Sequence, residues 1–378
     1  ADDPARLRGL AALAGRRDVT EFRLGETTFN PLLHEQQRQS ESPTPGGIER
    51  LLDIADLPLR MMQQQGGTDP FWTGSVTNLN RAILTVLVHA GMPLSYRVLH
   101  EIKHSLPETP DGARDPAWQD TSQLFHAIQQ LEASEIDPSA RGDVSQAVRY
   151  LLDEFVSMPD KTRGSVLATD DVAYSRLLYG EVNHTINSLR PCTWSPELVT
   201  QDHGVTIMAC PILDHGPAAK VVQRCAVEAF QSAVRQRDLA SVSRPDFLII
   251  DEAPQFADAE RDSGFMMVCR SQRAGVVLVA QTVASLRLTA RNAADPQLAA
   301  QLLTSTPAVT IACSSSDPDT HQFVSACFTR TKQSRISFGS SRDESGQRDA
   351  RSRRTARRNH NASFSFEHAD DVQPILLR

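Results

Sequence analysis

The chain has 378 residues, 40% hydrophobic and 22% charged, with a formal net charge of −7. That is the composition of a soluble globular protein, long enough for one large domain or two ordinary ones. No run of about 20 apolar residues occurs, so no segment of this sequence reads as a membrane-spanning helix. Nor does the stretch after Ala1 show a basic-then-apolar signal.

The six cysteines are scattered, with no C-x-x-C pair, which fits buried free thiols in a reducing cytoplasm better than disulfides or zinc. The charge is unevenly placed. Ten basic and three acidic residues fall between Arg330 and Arg358, leaving 29 basic against 43 acidic elsewhere. An acidic body with one basic arm points to a local anionic contact.

In chain order, the spacing predicts a helix from about Pro4 to Ala14 and a strand around Val19 to Leu24. The loop FNPL (Phe29 to Leu32) follows, and a polar Gln/Ser/Pro/Gly stretch to Gly47 reads as a domain boundary. From about 48 to 190 apolar residues recur at helical spacing, as in NLNRAILTVLVHA, and no strand is predicted. From about 204 four short apolar runs (VTIMACPI, FLIID, GVVLVAQT and AVTIACS) alternate with helical stretches. That alternation predicts a parallel α/β sheet with strands buried on both faces. Finally, QSRISFGSS and NASFSFEH alternate apolar and polar residues and read as a hairpin, with the basic, Ser-rich stretch as its loop.

The chemistry concentrates where FLIID runs into Asp251 and Glu252. Two adjacent carboxylates at a strand end are costly unless a cation, water or nucleotide uses them. In parallel α/β sheets ligands bind beyond the carboxyl ends of the strands, and Asp251, Glu252 and Gln281 all fall there. In P-loop ATPases that place holds a magnesium-binding Asp and a water-activating Glu. The plainer alternative is an Asp that N-caps the next helix, with Pro254 in its first turn. The phosphate-binding pattern G-x-x-x-x-G-K-[ST] is absent, since Gly is never followed by Lys. A second motif, His100-Glu101-Ile102-Lys103-His104, matches H-E-x-x-H, which on a helix sets two imidazoles on one face for zinc. Lys103 within it and Pro107 a turn later favour a solvent-facing helix without stoichiometric zinc.

Taken in order, these pieces resemble the hexameric coupling ATPases of type IV secretion and conjugation, the TraG/TraD/VirD4-like group. The matching stretches are the helix–strand before FNPL, DPFWTGSVTNL (Asp69 to Leu79), LIIDEAPQF with RSQRAGVVLVAQTVASL, TPAVTIACSSSDPDTHQFVSACF, and the two-strand tail ending in DDVQPILL. The resemblance implies a RecA-like P-loop NTPase sheet with an inserted all-α domain. Residues 1–47 would be the N-terminal part of the nucleotide-binding domain and 48–198 the helical insertion. Residues 199–378 would be its C-terminal part with a terminal hairpin.

The resemblance also implies ATP and Mg2+ as cofactors. Asp251 would hold the magnesium through water, Glu252 would orient the hydrolytic water, and Gln281 would be a sensor. Arg270 would be an arginine finger supplied in trans, with Arg273 its rival. The implied partners are single-stranded DNA or a relaxase–DNA complex and the secretion machinery, in a homohexamer at the cytoplasmic face of the inner membrane. The chain would begin after the P-loop, with the membrane anchor further upstream. Arg353, Arg354, Arg357 and Arg358 are the nucleic-acid candidates of the basic arm. The competing functions are an HExxH zinc peptidase and a non-catalytic adaptor that recognises secretion substrates.

Overall fold

The computed structural model describes residues 4–41, 46–64, 69–240, 242–255, 257–290, 296–307, 309–313, 315–326, 333–340 and 360–367, the last two ranges by their backbone. The chain divides into two compact units, Ala1–Ala280 with Ser285–Pro307, and Gln281–Ala284 with Ala308–Arg378.

The first unit carries four strands in two parallel pairs. β1 (Val19–Arg23) pairs with β2 (Val205–Ala209) from Val19↔Val205 to Arg23↔Ala209. β3 (Asp246–Ile250) pairs with β4 (Ala274–Leu278) from Asp246↔Ala274 to Ile250↔Leu278. Parallel neighbours cannot be joined by a tight turn and need a crossover. For β1 and β2 the crossover is the whole helical region, in which no described residue is in a strand.

Its two ends are pinned together. The Phe29 N–H donates to the Thr185 carbonyl at 2.8 Å, and Asn30 Nδ2 donates to the Leu94 and Ser188 carbonyls at 2.8 and 3.1 Å. The rings of Phe22 and Phe29 meet Trp194 edge-on at 5.3 and 4.8 Å. FNPL is thus a structural clasp.

The central helix, Pro70–His89, starts where Asp69 accepts the Phe71 N–H at 2.9 Å and Pro70 takes the first turn, a place that needs no amide donor. Its Val76, Leu79, Ile83, Leu84, Val86 and Leu87 are buried and belong to one core with Phe22, Tyr96 and Tyr174. Each such side chain contributes about 1.5–3 kcal/mol on burial. The long helix Ile212–Gln236 breaks at Gly216, whose φ of 63° suits glycine, just before Pro217. It carries Arg224, fully buried, whose Nη1 donates to both oxygens of Asp262 at 2.8 and 2.7 Å and whose Nε donates to Glu228 at 3.0 Å.

Three expectations from sequence are corrected here. The parallel strands form two separate two-stranded sheets among the described residues, not one ladder. The β3–β4 pair is covered on one side only: Phe230, Val234 and Phe265 pack with Leu248, while Phe247 is 61% and Ile249 68% exposed. The run AVTIACS forms no strand among its described residues 309–313, where Val309 and Ile311 are 76% and 86% exposed. An apolar run becomes a strand only when another backbone pairs with it, and among the described residues none pairs with this one.

In the second unit β5 (Gln333–Ser340) and β6 (His360–Glu367) pair antiparallel, from Gln333↔Glu367 to Ser340↔His360. Arg353, Arg354, Arg357 and Arg358 lie outside the described residues. The described cysteines are all free. No helix among the described residues is long and apolar enough to cross a membrane.

Candidate carboxylate site at the end of the third strand

Asp251 and Glu252 sit immediately beyond β3. The Val279 N–H donates to the Ile250 carbonyl at 2.9 Å, and the Ala253 N–H donates back to the Val279 carbonyl at 2.9 Å. One residue of the neighbouring strand therefore holds the chain on both sides of Asp251 and Glu252, and the two acids bulge out between those bonds. Glu252 takes a φ of 51°, the left-handed region that costs a non-glycine residue about 1–2 kcal/mol. Strain of this kind persists where the surroundings over-determine it, and it clusters at functional sites.

Asp251 is exposed and its Oδ1 accepts the Glu252 N–H at 3.0 Å. It does not cap a long helix: a three-residue 3-10 turn, Ala253–Gln255, comes next, and the following α-helix, Ala259–Cys269, is capped by Asp258. Asp251 can therefore offer a hard oxygen ligand, which suits Mg2+.

The two arginines proposed from sequence lie elsewhere in this unit. Arg270 closes the helix Ala259–Cys269, is exposed, and its side chain makes no hydrogen bond or ion pair among the described residues. The Arg273 carbonyl accepts the Asp246 N–H at 3.2 Å, at the start of β3. This is the end of the strand pair opposite to Asp251, roughly 16 Å away at about 3.3 Å per residue. The Arg273 guanidinium is spent on the Val242 carbonyl, which leaves Arg270 as the freer of the two. Gln281 is exposed and belongs to the second unit.

Sequence reading missed a buried polar network that joins the next helix, Ala259–Cys269, to the helix Ile212–Gln236. Asp262 takes Arg224 and also Gln231 Nε2 at 2.7 Å, and it accepts the Asp258 N–H at 3.0 Å. Glu228 receives Arg60 at 3.0 Å. Burial works to raise the Glu228 carboxyl, but Arg224, Arg60 and Arg261 outweigh it and hold it below the ordinary carboxylate range. The network thus ties these two helices together. Beside it lies a cavity of about 490 Å3 bounded by Arg50, Arg235, Arg261, Glu35 and Asp53. No periodicity in the sequence marks Arg224, because an arginine is buried only when distant acids meet it.

H-E-x-x-H proves to be half buried. Lys103 and Ile102 face inward, which corrects the solvent-facing reading. His100 and His104 lie together with Asp171, while Glu101 turns aside to Arg97 Nη1 at 3.7 Å and Gln123 Nε2 at 3.2 Å.

Fold and site together define a mixed α/β protein with paired parallel strands and an acidic pair at a strand's carboxyl end. No protein-family model matches the chain, and no curated protein matches it.

Proposed function

We propose that this chain is part of an ATP-driven motor that moves DNA or nucleoprotein through a conjugative type IV secretion system, the coupling protein of that machinery. Its core would be RecA-like, built from residues 1–47 and 199–378, with 48–198 as an inserted helical domain. The observation that carries the reading is the Asp251–Glu252 bulge at the carboxyl end of a parallel strand, with Glu252 held in a strained backbone. The open apolar face at Phe247 and Ile249 supports it too, because parallel sheets are ordinarily covered on both faces.

In this reading Asp251 holds the magnesium of Mg-ATP through water, and the metal supplies charge neutralisation at the phosphates. Glu252 orients the attacking water and accepts its proton. Gln281 senses the nucleotide, and Arg270, remote from its own chain's acids, reaches the site of the next subunit in a homohexamer. The complete protein would sit at the cytoplasmic face of the inner membrane, with single-stranded DNA or a relaxase–DNA complex as cargo. The reading requires a phosphate cradle that no G-x-x-x-x-G-K-[ST] stretch of these 378 residues supplies.

The test is Glu252→Gln in the complete protein. ATP hydrolysis should fall by about a hundredfold or more, within the range for loss of a positioned general base, while nucleotide affinity stays close to that of the parent. Hydrolysis at the parent rate would remove the carboxylate role and leave the adaptor function in its place.

A further inference from the structure

We propose that His100, His104 and Asp171 bind a divalent transition metal, with zinc the best fit, and that the ion staples the helix Tyr96–His104 to the helix Asp160–Tyr174. The inference is independent of the ATPase reading, since all the residues concerned lie in the helical region.

One ring nitrogen of each histidine and one oxygen of Asp171 lie within 4.8 Å of one another. Asp171 Oδ1 stands 2.7 Å from His104 Nε2 and 3.7 Å from His100 Nδ1, and the two rings are 4.4 Å apart. Zinc bonds of about 2.0–2.2 Å in a tetrahedron put ligand atoms roughly 3.3 Å apart. Side-chain movement that draws these atoms together would close the set. Two imidazoles and one carboxylate make a donor set suited to zinc, and too rich in nitrogen for Mg2+ or Ca2+. His104 is exposed and the Asp171 side chain is 46% exposed, so an ion can enter from solvent.

A second observation points to the same place. Asp170 is fully buried, and its Oδ2 has no hydrogen-bond partner. That oxygen stands 3.5 Å from His100 Nδ1, so a buried carboxylate oxygen without a partner faces the pocket as a further hard donor beside the imidazole. The other oxygen of Asp170 is held by Lys103 Nζ at 2.5 Å, so this carboxylate is itself fixed in place. Asp170 and Asp171 together outweigh the single ammonium of Lys103, which leaves the pocket attractive to a cation.

The i, i+4 histidines of H-E-x-x-H thus find their third ligand on another helix. Glu101, the residue a peptidase would use as base, faces Arg97 and Gln123 instead. The role assigned to the ion is structural.

The experiment strips the protein with EDTA and titrates it with zinc chloride, and separately with cobalt chloride. The expected result is one ion bound per chain, a rise in melting temperature that EDTA reverses, and a tetrahedral visible spectrum for cobalt. His104→Ala and Asp171→Asn should each weaken zinc affinity by about tenfold or more. Both side chains reach solvent, so both variants should keep the parent's metal-free melting temperature. Binding that is undiminished in both variants, or no stoichiometric binding by the parent, would overturn the site and leave an ordinary histidine–aspartate ion pair.

Discussion

Lys103 Nζ lies 2.5 Å from Asp170 Oδ1 with both side chains fully withdrawn from solvent, and 4.1 Å above the Tyr174 ring. Burial alone would raise the Asp170 carboxyl, but the charges and hydrogen bonds of Lys103 and His100 together outweigh it and keep the group below the ordinary carboxylate range. Removing one partner of such a pair strands a buried charge. Lys103→Met should therefore destabilise the protein by about 3–5 kcal/mol, and Lys103→Met with Asp170→Leu should recover most of that loss. Urea unfolding of the single and double variants measures it. Strictly additive losses would mean that the two charges are not coupled.

A pH dependence follows from Glu197, which His34 Nε2 contacts at 3.0 Å. Burial pushes the Glu197 carboxyl up, but the hydrogen bond and charge of His34, with help from Ser195, bring it down to about 2. The folded value thus lies below the unfolded one. The pair's contribution is present above the ordinary glutamate value near 4.5 and is lost as pH falls towards about 2. Allowing for the partial exposure of both groups, it amounts to no more than about 2 kcal/mol. Between about pH 5 and pH 2 the unfolding free energy of the parent should fall more steeply than that of Glu197→Gln. Parallel pH profiles would show that the carboxyl does not titrate with folding.

Arg270 tests the arrangement of subunits. In the complete protein Arg270→Ala should abolish ATP turnover, although its own Asp251 and Glu252 lie at the far end of the strands. Mixing Arg270→Ala subunits with Glu252→Gln subunits should restore part of the activity, because some interfaces regain an intact acid facing an intact arginine. Activity of a monomer that is insensitive to Arg270→Ala would exclude the role in trans.

The basic arm is tested by salt. Neutralising Z phosphates of a single strand makes log affinity fall with log salt at a slope of about −0.7Z. Replacing Arg353, Arg354, Arg357 and Arg358 with Ala should weaken DNA binding equally for all sequences and flatten that slope. An unchanged affinity and slope in the fourfold variant would assign the DNA contacts to other residues.

Much of this protein was written locally in its sequence. The helical region is legible where burial on one face imposes a 3.6-residue period, as Leu51, Leu52 and Ala55 show between the exposed Glu49 and Asp53. The strands β2, β3 and β4 are legible as short β-branched runs, and the acids of the candidate site follow β3 directly. The hairpin β5–β6 is readable from alternation alone.

What only the tertiary structure decided are matters of partnership between distant residues. The bulge at Asp251 and Glu252 exists because Val279 bonds on both sides of it, and β4's register sets that. Residues 309–313 have the apolar content of a strand, but strand formation needs a second backbone, which local composition cannot supply. Lys103 and Arg224 look like surface residues by type, yet each is buried because an acid 67 or 38 positions away meets it in the fold. The same holds for the proposed metal site: the spacing of His100 and His104 is a property of one helix, whereas Asp171 joins them only through the packing of a second helix against it. Periodicity records whether a residue faces water or core, and it carries no record of which residue will be waiting there.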